Sequence, residues 1–330
     1  MAFLLGAKTN WSQVAVRYGG LVQQLAEREV SLAFAESHAS YLGEGVFSEP
    51  RFAKDARLGG MTLGLSASTV EVDVVRDLTI PSKSYKLYEE DDGPALVHNP
   101  SLNAILSSKG KVYQAMHELQ PFSIPFVTAA DVEHALSEMP GDNVVVKPDN
   151  GMASQGVLVG SKREVMERFA QLGDPDKIYI VQEAIDMSRG IPEVSVDGVH
   201  NIRFIVIGGR AIFGFARTTP DNDLTLAGDS FSGRDFRHFS DYPDGVVETL
   251  QTARKHFLSL PGSLDSVVAI DLIRGTDSTG EQRDYLLEIN RRPLRNSPVH
   301  GPDASNLWAS AQWDEHEADM LAGVVAAQAV

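Results

Sequence analysis

The sequence predicts an α/β N-terminal domain followed by an α+β region of two further units, and three patterns carry that expectation. Residues 3–7 form an apolar run, 12–28 a helical stretch and 30–35 a second β-like run, which together read as a βαβ opening. From 143 the order becomes strand 143–147, glycine-containing turn 148–156, strand 157–159, helix 164–172 and strand 179–185. Farther on, a hairpin over 202–216 precedes a helix at 246–258 and strands at 267–273 and 284–289. A chain of 330 residues has room for two or three structural units. The expected divisions are 1–105, 106–187 and 188–330.

The connecting segments are less regular. Residues 43–64 read as irregular, 69–75 alternate like one strand, and 89–94 form a solvated turn. Helices are expected over 111–119, closed by Pro121 and Pro125, and over 130–138, closed by Pro140-Gly141. A long polar loop is expected over 218–234.

Composition excludes several classes of function. With 43% hydrophobic and 22% charged residues the chain has the makings of a core and is not a disordered polyelectrolyte. A net charge of -16 repels polyanions and anionic membrane surfaces, so neither nucleic acid nor membrane is an expected partner; a homo-oligomer is compatible with the composition. The absence of cysteine removes disulfides, thiolate metal sites and cysteine nucleophiles. No basic n-region precedes the first apolar run, and no run approaches membrane-spanning length, so a cytoplasmic location is expected. The sequon Asn10-Trp11-Ser12 then reads as chance.

Three segments carry chemistry. In Val144-Val145-Val146-Lys147-Pro148 the lysine ends an apolar strand, and Ser154, Gln155 and Gly156 follow in a small-residue turn whose N–H groups can approach phosphate. The plainer reading is a hairpin with a surface lysine. Walker-type and dinucleotide-type patterns are absent. In the second segment an apolar strand runs into Gln182, Glu183, Ala184, Ile185 and Asp186, which can offer backbone edges to a base and a carboxylate to a ribose; a core strand with a polar end is the alternative. In the third, Asp271 and Glu288 each lie inside an aliphatic run, where a carboxylate needs a cation or a paired arginine. Glu288 and Asn290 share one strand face, and with Asp271 they make an oxygen-rich set suited to Mg²⁺ or alternatively to paired arginines.

Other features are weaker. The run Asp221-Asn222-Asp223 begins like a calcium loop but lacks its later glycine and acid. Arg291, Arg292 and Arg295 form a basic cluster in an acidic chain, and His300 follows closely; each suits a substrate anion or an ordinary surface role.

In this order the three segments resemble the ATP-grasp ligases, in particular the branch of glutathione synthetase and ribosomal-protein-glutamate ligase, over residues 103–298. The resemblance implies an ATP-grasp fold with two lobes enclosing ATP, and the nucleotide loop in Lys147-Pro148 and Gly151-Met152. It also implies the hinge strand at Val181-Gln182-Glu183 and Mg²⁺ or Mn²⁺ at Asp271, Glu288 and Asn290. Lys109 matches an upstream phosphate lysine, with Lys111 in competition, and Arg203 and Arg217 match hairpin arginines that face phosphate and substrate. The implied activity joins a small-molecule or peptide carboxylate to an amine through an acyl phosphate; a kinase acting on a hydroxyl and a non-catalytic nucleotide-binding regulator are the rivals. The chain departs from the family at Asn201, where aspartate is frequent, at 221–228, and at Leu294, where glycine is usual.

The hairpin carries one sharper expectation. If Gly208-Gly209 alone turned the chain, uninterrupted pairing would place Arg217 opposite His200 and face the two arginines apart. A three-residue loop, Gly208-Gly209-Arg210, places Arg217 opposite Asn201, on the side of Arg203. The latter is the expected arrangement.

Overall fold

The structure, a computed structural model, describes residues 1–5, 9–57, 60–78, 87, 93–97, 100–151, 154–218, 236–291, 293 and 304–328. The N-terminal part contains β1 (Ala2–Leu4), α1 (Trp11–Ala26), β2 (Ala33–Ala35), β3 (Tyr41–Gly43), β4 (Val46–Phe47) and β5 (Arg51–Arg57). It continues with β6 (Gly60–Leu65), β7 (Val70–Glu71), β8 (Val74–Asp77) and β9 (Ala95–Val97). One sheet runs β6-β5-β2-β1-β8-β9; β2, β1, β8 and β9 are parallel, and β5 and β6 form an antiparallel extension. Every residue of β1 and β2 is buried, as strands covered on both faces require. On one face Tyr18, Leu21 and Leu25 of α1 pack with Phe3 and Phe34.

Two expectations fail here. The stretch 43–64 is not irregular, because β5 and β6 pair across it; glycines and charged residues blur the alternation that would reveal them. Gly19 in α1 admits this hairpin closely: a Cβ there would lie 2.3 Å from the Arg57 carbonyl oxygen. The single strand expected at 69–75 is two. β7 joins a small sheet with β3 and β4, and the chain crosses to the main sheet at β8.

The middle of the chain holds α2 (Pro100–Leu106), α3 (Lys109–Met116), β10 (Ser123–Thr128), α4 (Val132–Glu138) and β11 (Asn143–Pro148), then β12 (Leu158–Ser161), α5 (Lys162–Leu172) and β13 (Ile178–Glu183). An antiparallel sheet, β10-β13-β11-β12, packs against α4 and α5 through Val144, Val146 and Val181 on one side and Leu136, Val165 and Phe169 on the other. Pro125 does not merely close a helix: it lies in edge strand β10, where a register shift between Ile124 and Val127 accommodates it.

The last part contains β14 (His200–Ile207), β15 (Arg210–Thr218), β16 (Phe236–His238), α6 (Asp244–Leu258), β17 (Val267–Thr276), β18 (Gln282–Asn290) and α7 (Ala304–Gln328). Its sheet runs β16-β15-β14-β17-β18. One face, with Ile202, Phe204, Ile270 and Leu272, packs on α6 and also on Leu102 and Val112 of α2 and α3. Packing therefore crosses the division expected near 105. On the opposite face Ala309 and Trp313 of α7 cover Ile205, Phe213 and Ala269, while Ala318 and Leu321 join the core beneath α1. Arg76 of β8 and the fully buried Glu317 of α7 form an ion pair that locks this helix to the first sheet. Among the described residues no helix is long and apolar enough to cross a membrane.

Candidate active site

Lys147 lies one residue before the end of β11 with its side chain on the face away from Val144 and Val146, and it is 8% exposed. Its Nζ donates to Gln182 Oε1 at 2.8 Å, and Gln182 Nε2 donates to Ser123 Oγ at 2.9 Å, so three neighbouring strands aim one ammonium group. Burial pushes its pKa down to about 8; the positive charge of Lys109 acts in the same direction, and Glu288 opposes both.

Lys109 comes from the first turn of α3. Asp149, just after β11, anchors that helix: its Oδ1 accepts from Ser108 Oγ at 3.0 Å and from the Gly110 N–H at 2.7 Å. The Lys109 ammonium bridges the carbonyls of Pro148, Asp149 and Gly151 at 3.2–3.3 Å, and burial lowers its pKa against the pull of Glu288 and Asp149. Lys111 is exposed, and its Nζ donates to the Ala104 carbonyl at 3.4 Å. Of the two upstream candidates, Lys109 is therefore the one that stands beside Lys147.

The arginines share a face, by a route other than the expected one. Ile207 pairs with Arg210, so the loop is Gly208-Gly209 alone, with φ of +54° and +73°, both left-handed. A bulge then leaves Ile212 unpaired, because Val206 opposes Ala211 whereas Ile205 opposes Phe213. That single extra residue restores the pairing of Asn201 with Arg217 and brings Arg217 to the side of Arg203. Gly209→Ala is expected to lower stability by about 1–2 kcal/mol, since φ is left-handed and a Cβ would lie 2.5 Å from Leu258 Cδ2. An unchanged urea midpoint would count against a strained turn.

Asp271 is the hub of the cluster and is fully buried. Arg203 holds it through Nε and an Nη at 2.7 and 2.6 Å, Arg217 donates at 2.9 Å, and the amides of Asn290 and Asn201 donate at 3.1 and 3.3 Å. Burial, the largest single influence, acts to raise the Asp271 pKa; the two guanidinium groups and the hydrogen bonds together outweigh it and hold the carboxyl below its usual range. Glu288 opposes Asp271 across β17 and β18, is 36% exposed, and accepts from Asn290 Nδ2 at 2.8 Å. Among the described residues no three His, Cys, Asp or Glu side chains converge closely enough to hold a metal ion. A cation here would depend on Asn290 as well as the two acids.

The strand end at 182–186 divides its side chains between internal contacts and solvent. Gln182 is consumed in orienting Lys147, and Glu183 Oε1 accepts from the Ser278 N–H at 2.7 Å. The solvent-facing carboxylate is Asp186, not Glu183. The backbone from Glu183 through Ala184 and Ile185 to Asp186 bridges two sheets, with the Ala184 N–H donating to the Asn143 carbonyl and the Asp186 N–H to the Thr276 carbonyl. Ser154 and Gly156, with φ of +55° and +74°, shape the exposed turn that includes Gln155. Arg292, Arg295, His300, Met152 and the segment 221–228 lie outside the described residues.

Three pairings carry no recognisable signal in the sequence: Asp149 with the start of α3, Gln182 with Lys147, and a pair at the end of β8. In that pair His38 Nε2 lies 3.0 Å from Asp77 Oδ2, and Asp77 faces Arg291, just beyond Asn290. Each depends on residues far apart in the chain. Four cations, Lys109, Lys147, Arg203 and Arg217, thus surround Asp271 and Glu288 in a protein of charge -16. Such a pocket suits a polyanion that the rest of the surface repels.

A family model described as an ATP-grasp domain matches residues 106–295. The structure is similar to that of the D-cycloserine synthetase DcsG, with a TM-score of 0.61 at 12% identity over 98% of each chain. It is also similar to a RimK domain protein ATP-grasp from Sphaerobacter thermophilus, with a TM-score of 0.58 at 13% identity over 97% of this chain and 98% of that one. A third similar structure is the macrocyclase MdnC bound with precursor peptide MdnA from Microcystis aeruginosa, with a TM-score of 0.54 at 13% identity over 98% and 100%. No curated protein matches the chain in sequence.

Proposed function

Because the chain belongs to the ATP-grasp family, we propose that it is an ATP-dependent ligase that phosphorylates a substrate carboxylate and transfers the acyl group to an amine. One observation carries this reading: Lys109, Lys147, Arg203 and Arg217, from separate elements, converge around two carboxylates. The lysines hold the phosphates of ATP, and the backbone at 183–186 borders the base. Arg203 and Arg217 neutralise charge on the transferring phosphoryl group. A carboxylate oxygen attacks the terminal phosphorus and ADP leaves. The amine then attacks the acyl carbon and inorganic phosphate leaves.

The donor set fits a hard cation through its oxygens: Glu288 presents a part-exposed carboxylate beside Asp271, and Asn290 would join them through its amide oxygen in place of the nitrogen that now donates to both acids. These residues would hold Mg²⁺, which supplies charge compensation to phosphate oxygens. DcsG is a D-cycloserine synthetase and MdnC is bound with a precursor peptide, so small-molecule and peptide substrates both fall within the reading.

A panel of ¹⁸O-carboxylate acids, each with and without amines, tests it. The expected result is ADP release that requires both substrates, with one ¹⁸O transferred into the released phosphate. Release of unlabelled phosphate would remove the acyl phosphate. A stable phosphorylated product formed without amine would establish the kinase instead, and nucleotide binding without turnover across the panel would favour a regulator.

A further inference from the structure

A cavity lies in the N-terminal part, and none of its lining residues belongs to the phosphate cluster. A cavity of about 160 Å³ opens beyond the carboxyl end of β2 and beside the first turn of α1. In sheets with parallel strands this is the end at which ligands are received. Its lining is mainly polar, with Glu36, Ser40, Ser48, Glu49 and Arg51, and Trp11 and Leu65 supply the smaller apolar part, while Phe34 lies buried behind it. A cavity of about 150 Å³ accommodates a benzene-sized molecule, so the space suits a ligand of a few heavy atoms and not a nucleotide or peptide.

The charges on this rim are set apart from one another. The Arg51 guanidinium stacks 4.5 Å over the Trp11 ring. Although Glu36 and Glu49 line the same cavity, neither forms an ion pair with Arg51, and no side-chain hydrogen bond joins these three groups. Stacking fixes the guanidinium plane while its N–H edge remains suited to a carboxylate. The two acids make the rim net negative and suit an ammonium group. Opposite charges held separately beside one indole ring complement a small molecule that carries both.

We propose that this cavity binds a small α-amino acid as its zwitterion, with the carboxylate on Arg51, the ammonium between Glu36 and Glu49, and the side chain against Trp11. The site stands independently of the ligase reading, because its recognition needs neither ATP nor the cluster around Asp271. Trp11 is one of only three tryptophans, so its emission reports occupancy.

The test uses the full chain without nucleotide, titrated with glycine, alanine and serine by calorimetry and tryptophan fluorescence. Saturable binding is expected, weakened at least tenfold for N-acetylalanine, which lacks the ammonium, and for alanine methyl ester, which lacks the carboxylate. Arg51→Met should abolish the preference for the free acid over the ester, and Glu36→Gln with Glu49→Gln should abolish the preference for the free amine over the acetylated form. Should Arg51→Met fail to fold by circular dichroism, the ligand pairs on the wild-type chain decide alone. No amino acid bound at millimolar concentration, or equal binding of the acid, ester and acetylated forms, would overturn the proposal.

Discussion

Glu288→Gln is expected to reduce ADP formation by at least about a hundredfold with the fold unchanged, whereas Asp271→Asn is expected to destabilise the protein by about 3–5 kcal/mol. The two acids oppose each other across β17 and β18 but occupy different surroundings. Asp271 is fully buried and accepts from Arg203, Arg217, Asn201 and Asn290. Neutralising it leaves two guanidinium groups in a low-dielectric interior without their counter-ion, which costs far more than one lost hydrogen bond. Glu288 is part-exposed and lies near Lys109 and Lys147, so its removal changes the charge around the phosphates and little of the packing. Urea denaturation and ADP release measured on both variants check this. A stable Asp271→Asn protein that has lost only turnover would overturn the counter-ion role of Asp271 and leave it to the metal alone.

Lys147→Ala is expected to remove most of the thermal shift produced by Mg-ATP, while Lys147→Arg retains it into the alkaline range. With a folded-state pKa of about 8, Lys147 loses its charge as pH rises past that value, and attraction for a polyphosphate falls with it. Arginine keeps its charge throughout, so its nucleotide affinity should lack the alkaline decline. The sign for the free protein is opposite. Between about pH 8 and about 10.5 the unfolded chain holds a proton on this lysine that the folded chain has released, so this group's contribution to stability improves as pH rises through that window. Below pH 8 both states are protonated and the full penalty of burying the charge applies. Melting temperatures with and without Mg-ATP from about pH 6.5 to about 9.5 check both signs. Equal nucleotide shifts in wild type and Lys147→Ala would remove Lys147 from the phosphate site.

Local pattern along the chain encodes a good part of this protein. A charged residue within an aliphatic strand is costly unless something answers it, and on that ground Lys147, Asp271 and Glu288 stand out from the amino-acid order alone. Periodicity or an unbroken aliphatic run likewise marks α1, β11, α5, α6, β17 and β18 to within a few residues. The ATP-grasp resemblance adds the order of the segments.

Which partner each charge meets is settled in three dimensions and nowhere else. Whether Asp271 faces arginines or a cation depends on the register of β14, β15 and β17, and that register turns on Ile212, a bulge that no turn rule reveals. Glycine pairs select a loop length, but the number of residues on each side of a bulge is set by how the rest of the sheet packs. Lys109 has only a narrow preference over Lys111 in sequence; Asp149, reached across the fold, sets the start of α3 and leaves Lys109 part-buried and Lys111 in solvent. Helix α7 carries no clear stripe because it buries residues against two layers, the sheet under Trp313 and helix α1 beside Leu321. A helix gripped from two sides loses the one-faced periodicity by which helices are recognised.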